Sequence, residues 1–234
     1  MDSFFDGLGK RAADAVAKVK WTYSALAGTE EEALQAEGEL GLQMASAFLE
    51  EVELVDEGAE AEALQSIGQK LVKCLTDQRR TFHFGCLQGM EAQAVAFPGG
   101  YIFLSEGLIR LCSHYEDALA AIIGHEIGHV IKNHAFERAM ASQVVKVLSM
   151  GSMVGGPVKR TLISLVSRWL DKGYGDDQEL EADVFAVRLA HAVGYHPAGL
   201  VRLLERLDES RLIGGYWESH PPPARRARNL RGAF

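Results

Sequence analysis

The pentapeptide His125-Glu126-Ile127-Gly128-His129 constrains this chain more than any other stretch of it. Residues four apart share one face of a helix, a turn apart, so two imidazoles can be aimed at one ion. Zinc accepts such nitrogen donors, and Glu126 stands beside them, within reach of a water on the metal. Zinc lowers that water's pKa from about 15.7 to about 7, and Glu126 is then placed to act as general base and to hand the proton to a leaving amine. The surrounding residues supply the helix. Ser113-His114-Tyr115-Glu116 reads as a capping box, and Leu119, Ile122, Ile123, Ile127, Val130 and Ile131 follow at helical spacing. Gly124 and Gly128 weaken that helix but leave room for a second element to approach the metal.

A catalytic zinc takes three protein ligands and keeps a fourth position open. His134 lies five residues beyond His129, whereas the extended metzincin pattern needs a histidine at six, where Ala135 stands. His134 therefore reads as structural. The better third ligand is Glu179, at the start of a separate helix opened by Asp176-Asp177-Gln178-Glu179. Asp183, one turn later, is placed to accept a hydrogen bond from a ligand histidine and set its tautomer. Glu181 competes for the ligand role, but it lies about 200° round the helix from Glu179, so only one of the two faces the metal. One zinc per chain is expected.

The rest of the chain reads as a mostly helical α+β protein. Apolar stripes predict scaffold helices over residues 30–54 and 59–75. Residues 81–87 are β-rich, and Ala94 to Phe97 and Tyr101 to Leu104 flank the turn Pro98-Gly99-Gly100, which predicts a small antiparallel sheet. Residues 141–170 predict a helical excursion over or beside the cleft, Gly194 a helix stop, and Pro197 to Leu207 a further helix. Residues 1–29 are expected to form a flexible amino-terminal segment, and residues 30–234 a single catalytic domain.

Composition narrows the function classes. A net charge of -8 argues against nucleic acid as partner. Three scattered cysteines, Cys74, Cys86 and Cys112, exclude a disulfide framework and a cysteine zinc site, and mildly favour the cytoplasm. No stretch reads as a signal peptide, and Val144 to Val158 is too short to span a bilayer. An envelope or organelle location stays open if a targeting segment has been removed. The other histidines, His83, His114, His191 and His196, read as structural.

Several segments in order resemble the gluzincin metalloendopeptidases of the HtpX, Oma and CAAX-prenyl-protease type. His125 to His134 resembles that family's helix, including its later histidine, and Glu179-Leu180-Glu181-Ala182-Asp183 resembles its E-x-x-A-D helix. Pro98 to Ile102 with Gly107-Leu108 resembles its hairpin, and Ser219-His220-Pro221 with Arg226 and Leu230 its closing motif. The resemblance implies Glu179 as third zinc ligand, Asp183 behind a histidine, and a polypeptide substrate drawn from unfolded or exposed segments. It also implies an edge strand, Ala94-Val95-Ala96-Phe97, that pairs with the extended substrate. His220 or Arg226 is the candidate oxyanion donor. The alternatives are a helix cap or packing role for His220 and a surface or structural charge for Arg226. Two departures bear on substrate preference: Gln93-Ala94-Val95-Ala96 replaces the usual Asn-Ala-Phe-Ala, and Gly175-Asp176 replaces Ser-Arg. Relatives of this type often sit in or on membranes, so peripheral membrane association stays open. A latent or non-proteolytic zinc protein, its cleft plugged by residues 141–170, is the alternative function.

Overall fold

The computed structural model describes residues 28–112, 115–149, 156–210 and 220–231. The expectation of a flexible segment over residues 1–29 falls almost wholly outside them, as do Ser113 and His114. Helix α1 (Glu30–Phe48) starts from Thr29, whose hydroxyl accepts the Glu32 N–H while the Glu32 carboxylate accepts the Thr29 N–H at 2.7 Å. This reciprocal cap satisfies two donors that a helix start otherwise leaves bare. The helix stops six residues short of the expected end because the chain is claimed by a sheet. Val55 N–H donates to the Cys86 carbonyl and Gln88 N–H to that of Glu53, around a Leu54–Leu87 bridge. Helix α2 (Ala59–Lys73) follows.

Strands β1 (His83–Leu87), β2 (Ala94–Phe97) and β3 (Tyr101–Ser105) form a sheet in the order β1-β3-β2. The β2–β3 hairpin is antiparallel, as its turn predicts. β1 joins the far side of β3 in parallel, so the sheet is mixed and β2 is left as an edge. At the turn, Gly99 and Gly100 adopt φ of 73° and 95°, a region that side chains resist. Helix α1 is docked on this turn almost backbone to backbone: a Cβ on Gly41 would lie 1.7 Å from the Pro98 carbonyl oxygen. Buried Glu37 accepts the Gly99 N–H at 3.0 Å and pairs with Arg80 at 2.9 Å.

The side-chain alternation of β3 divides the core. Ile102 and Leu104 face a cluster built on α2 and on helix α4 (Glu116–Ile131), while Tyr101 and Phe103 face one built on Leu40 and Met44 of α1. Short helices α3 (Glu106–Leu111), α5 (His134–Met140) and α6 (Gln143–Ser149) connect the larger ones. Helices α7 (Gly156–Leu170), α8 (Asp176–Ala192), α9 (Gly199–Ser210) and α10 (Pro223–Arg231) complete the described chain. Helix α4 is buried from Ala118 to Val130. It begins after Tyr115 without a side-chain cap. Asn133, at a left-handed φ of 62°, turns the chain sharply from α4 into α5 and so folds α5 back toward the motif. Gly194, φ 98°, ends α8 where expected. Among the described residues no helix is long and apolar enough to cross a membrane.

Candidate metal centre and cleft

Helices α4 and α8 touch where α4 has no side chains. A Cβ on Gly124 would meet Ala186 Cα at 3.2 Å, and one on Gly128 would meet Ala182 Cα at 3.3 Å. This close approach carries Glu179 to the two histidines. His125 Nε2 and His129 Nε2 are 3.0 Å apart, with Glu179 Oε2 3.6 Å from the first and Oε1 3.7 Å from the second. His220 Nε2 stands 3.6 Å from Glu179 Oε1, and one donor atom from each of the four residues lies within 4.8 Å of all the others. Ligands at about 2.0–2.1 Å round a tetrahedral zinc lie about 3.3 Å from one another, so the set has the right size.

The chemistry of the donors also fits a cation. Both carboxylate oxygens of Glu179 are buried without a hydrogen bond among the described residues. Burial raises this carboxyl to about 8, with Asp183 and Glu126 adding to the rise and Arg226 opposing it. Asp183, which can only accept, lies 2.9 Å from His125 Nδ1 and draws a proton there, leaving the Nε2 lone pair turned inward. Burial and the neighbouring Arg226 keep His125 neutral, and burial with His125 keeps His129 so. Two inward lone pairs and a buried carboxylate repel one another unless a positive ion sits among them.

A cavity of about 520 Å³ opens on this centre. Its walls include Glu126, His220, and Ala94, Val95 and Ala96 of the edge strand. Phe97 is fully buried and is not among the cavity's walls. Ile163 and Val166 of α7 form another wall, so the described part of the 141–170 excursion lies beside the cleft; residues 150–155 fall outside the described chain.

A family model described as peptidase family M48 matches residues 58–233. The chain belongs to peptidase family M48. It is similar to the metalloprotease LoiP of Escherichia coli, 31% identical over 60% of this chain and 58% of LoiP. It is 28% identical to the E. coli beta-barrel assembly-enhancing protease over 72% of this chain and 36% of that protein. The mitochondrial metalloendopeptidase OMA1 of Schizosaccharomyces pombe is 27% identical over 58% of this chain and 42% of OMA1. The chain thus spans well under two thirds of the length of these relatives.

Within the M48 domain the remaining residues fall into place by what they touch. Arg226 does not reach the cavity. Its fork is taken by Asp183, Nη2 at 2.6 Å from Oδ1 and Nε at 3.1 Å from Oδ2. Burial works to raise the Asp183 carboxyl, but Arg226 and His125 together hold it far below the usual carboxylate range. Glu181 faces away from the donors, as its angle on the helix requires, and pairs with Lys132 at 2.7 Å and with His134 Nε2 at 3.4 Å. His134 Nδ1 in turn lies 3.1 Å from His129 Nδ1. With His134 Nε2–H directed at Glu181, His134 Nδ1 accepts from His129 Nδ1–H, which turns the Nε2 lone pair of His129 inward as well. The role of His134 is therefore structural in a specific sense: it orients a donor.

Sequence reasoning missed Tyr174 and Arg138. The Tyr174 ring stacks on His129 at 3.7 Å between centroids and 13° between planes. Arg138 lies over the other face of that ring. The signals available were weak: Tyr174 directly precedes the cap of α8, and Arg138 follows His134 by one helical turn.

Proposed function

We propose that this M48 chain is a zinc-dependent endopeptidase that cleaves unfolded or exposed polypeptide segments. The observation that carries the reading is the convergence of His125, His129 and Glu179 at the end of a cavity that Glu126 lines. These three residues would hold zinc, which when bound acts as a Lewis acid and makes a water acidic enough to attack near neutral pH. Glu126 takes the proton from the attacking water and passes it to the departing amine nitrogen. Asp183, held by Arg226, fixes the His125 tautomer, and Glu181 acting through His134 does the same for His129. Edge strand β2 offers free backbone groups to an extended substrate, so affinity comes from main-chain pairing with little side-chain selectivity. His220 is placed to donate to the oxygen on which charge develops.

The purified chain is expected to carry about one zinc and to cleave an unfolded protein such as casein, with cleavage lost on chelation. Glu126→Gln is expected to lower the rate about 10²–10⁴-fold with zinc content unchanged. Wild-type rates in that variant would overturn the mechanism.

A second reading is favoured by the place of His220. Its Nε2 belongs to the same donor cluster, so it can fill the position that a substrate needs and hold the enzyme latent. His220→Ala separates the two: the rate rises if the residue blocks the fourth position and falls if it stabilises the oxyanion.

A further inference from the structure

Arg138 is a partly buried charge that Glu126 and Glu179 stabilise only through space, and the mechanism above leaves it without a task. It lines the cavity that holds Glu126, yet none of its nitrogens hydrogen-bonds to any described residue, and its Nε is fully buried. Instead the guanidinium stands 3.7 Å from the centroid of the Trp169 ring and 3.9 Å from that of Tyr174. Aromatic faces stabilise a cation but satisfy none of its N–H donors. Arginine does not escape such a place by losing its proton. Two rings stand against the guanidinium carbon, so the N–H groups are what remain to meet a ligand, and a planar fork matches a carboxylate.

His129 occupies one face of the Tyr174 ring at 3.7 Å, and two groups cannot share a face at such separations, so Arg138 lies on the other. The column continues through Trp169, which stacks on Phe97 of the edge strand at 5.5 Å. Arg138 therefore stands a full ring's thickness beyond His129, in the wall of the cavity that Glu126 and His220 also line.

We propose that Arg138 is a specificity-determining residue that binds a carboxylate of the polypeptide substrate within the cavity beside Glu126. The carboxylate comes either from an acidic side chain or from a free carboxyl terminus. This rests on the endopeptidase reading above for the placement of the substrate.

The test is peptide binding by zinc-loaded full-length chain carrying Glu126→Gln, followed by fluorescence anisotropy, so that no cleavage intervenes. One peptide series moves a single Glu or Gln through each position, and a second compares free with amidated carboxyl termini. The expected result is roughly tenfold or greater preference for the charged member of a pair at one position or at the terminus. The first series succeeding identifies a side-chain carboxylate, the second a terminal one. Arg138→Met should bring the ratio to about one, and Arg138→Lys, which keeps the charge without the fork, should retain only part of it. Binding with no charged-over-neutral preference beyond about twofold, or a preference that survives Arg138→Met, overturns the carboxylate site alone. Failure of every peptide to bind overturns the substrate reading and the site with it. Should Arg138→Met fail to fold, the paired peptides on the Arg138 protein and the Lys variant still decide the matter.

Discussion

Asp183 receives two positive-side partners at once, the His125 N–H and the Arg226 fork, and all three groups are buried. Each contact makes the other stronger, because a carboxylate held ionised by arginine is the better acceptor for imidazole. Asp183→Asn is therefore expected to act twice. Zinc affinity should fall about 10–100-fold as the His125 tautomer loosens. Folding stability should fall by about 3–5 kcal/mol because a buried guanidinium loses its counter-charge. Zinc titration and thermal melting read the two effects separately, and an unchanged zinc affinity would remove Asp183 from the site. Glu181 offers the contrast. It supports His129 through His134 from a half-exposed position, so its replacement by Gln should weaken zinc by less than the Asp183 change does.

Among the elements, the pairing of α4 with α8 sets the site, and two glycines permit it. Gly128 faces Ala182 Cα and Phe185 Cδ1 at 3.2–3.3 Å from where a Cβ would lie, so a large side chain there must push α8 away and take Glu179 with it. Gly128→Leu is expected to cost about 1–3 kcal/mol through overpacking, even though leucine suits a helix better than glycine. Zinc affinity should fall in step, since the displaced ligand sits on the displaced helix. A stable variant with unaltered zinc binding would show that the helices can re-pack without moving Glu179. The sheet contributes at the same scale: because β1 took the far side of β3, β2 is an edge strand among the described residues, and it lines the cavity.

For the molecule as a whole, the donor cluster makes stability depend on metal and on pH. In metal-free protein Glu179 has a folded value of about 8 against an ordinary 4.5, so it favours the folded state when protonated. That contribution is complete below about 4.5 and is lost as pH rises through 8. His125 and His129 are shifted the opposite way, below 6.5, so their penalty is felt as pH falls below 6.5, where the unfolded chain binds more protons. Metal-free protein should thus be most stable near pH 6.5 and weaken toward pH 8. Zinc should raise the melting temperature most at pH 8, where Glu179 needs a cation to stay ionised. Melting curves at pH 6.5 and 8 with and without zinc check this, and a metal-free protein more stable at pH 8 than at 6.5 would contradict it.

The sequence by itself determined most of the helices and the candidate metal donors, because a period of 3.6 residues turns the spacing of His125 and His129, and of Glu179 and Asp183, directly into direction. The same geometry allowed only one of Glu179 and Glu181 to face the site, and the resemblance to the E-x-x-A-D helix pointed to Glu179. The hairpin was legible because Pro98-Gly99-Gly100 admits few other conformations. Tertiary structure alone decided what has no local period. The early end of α1 depends on hydrogen bonds between residues more than thirty positions apart, and the parallel docking of β1 on pairing with residues eighteen positions on. The assignment of Arg226 to Asp183 rather than to the cleft depends on where α10 lands against α8. The column from His129 through Tyr174, Arg138 and Trp169 to Phe97 joins α4, the loop before α8, α5, α7 and β2, and no spacing within any one of them records it.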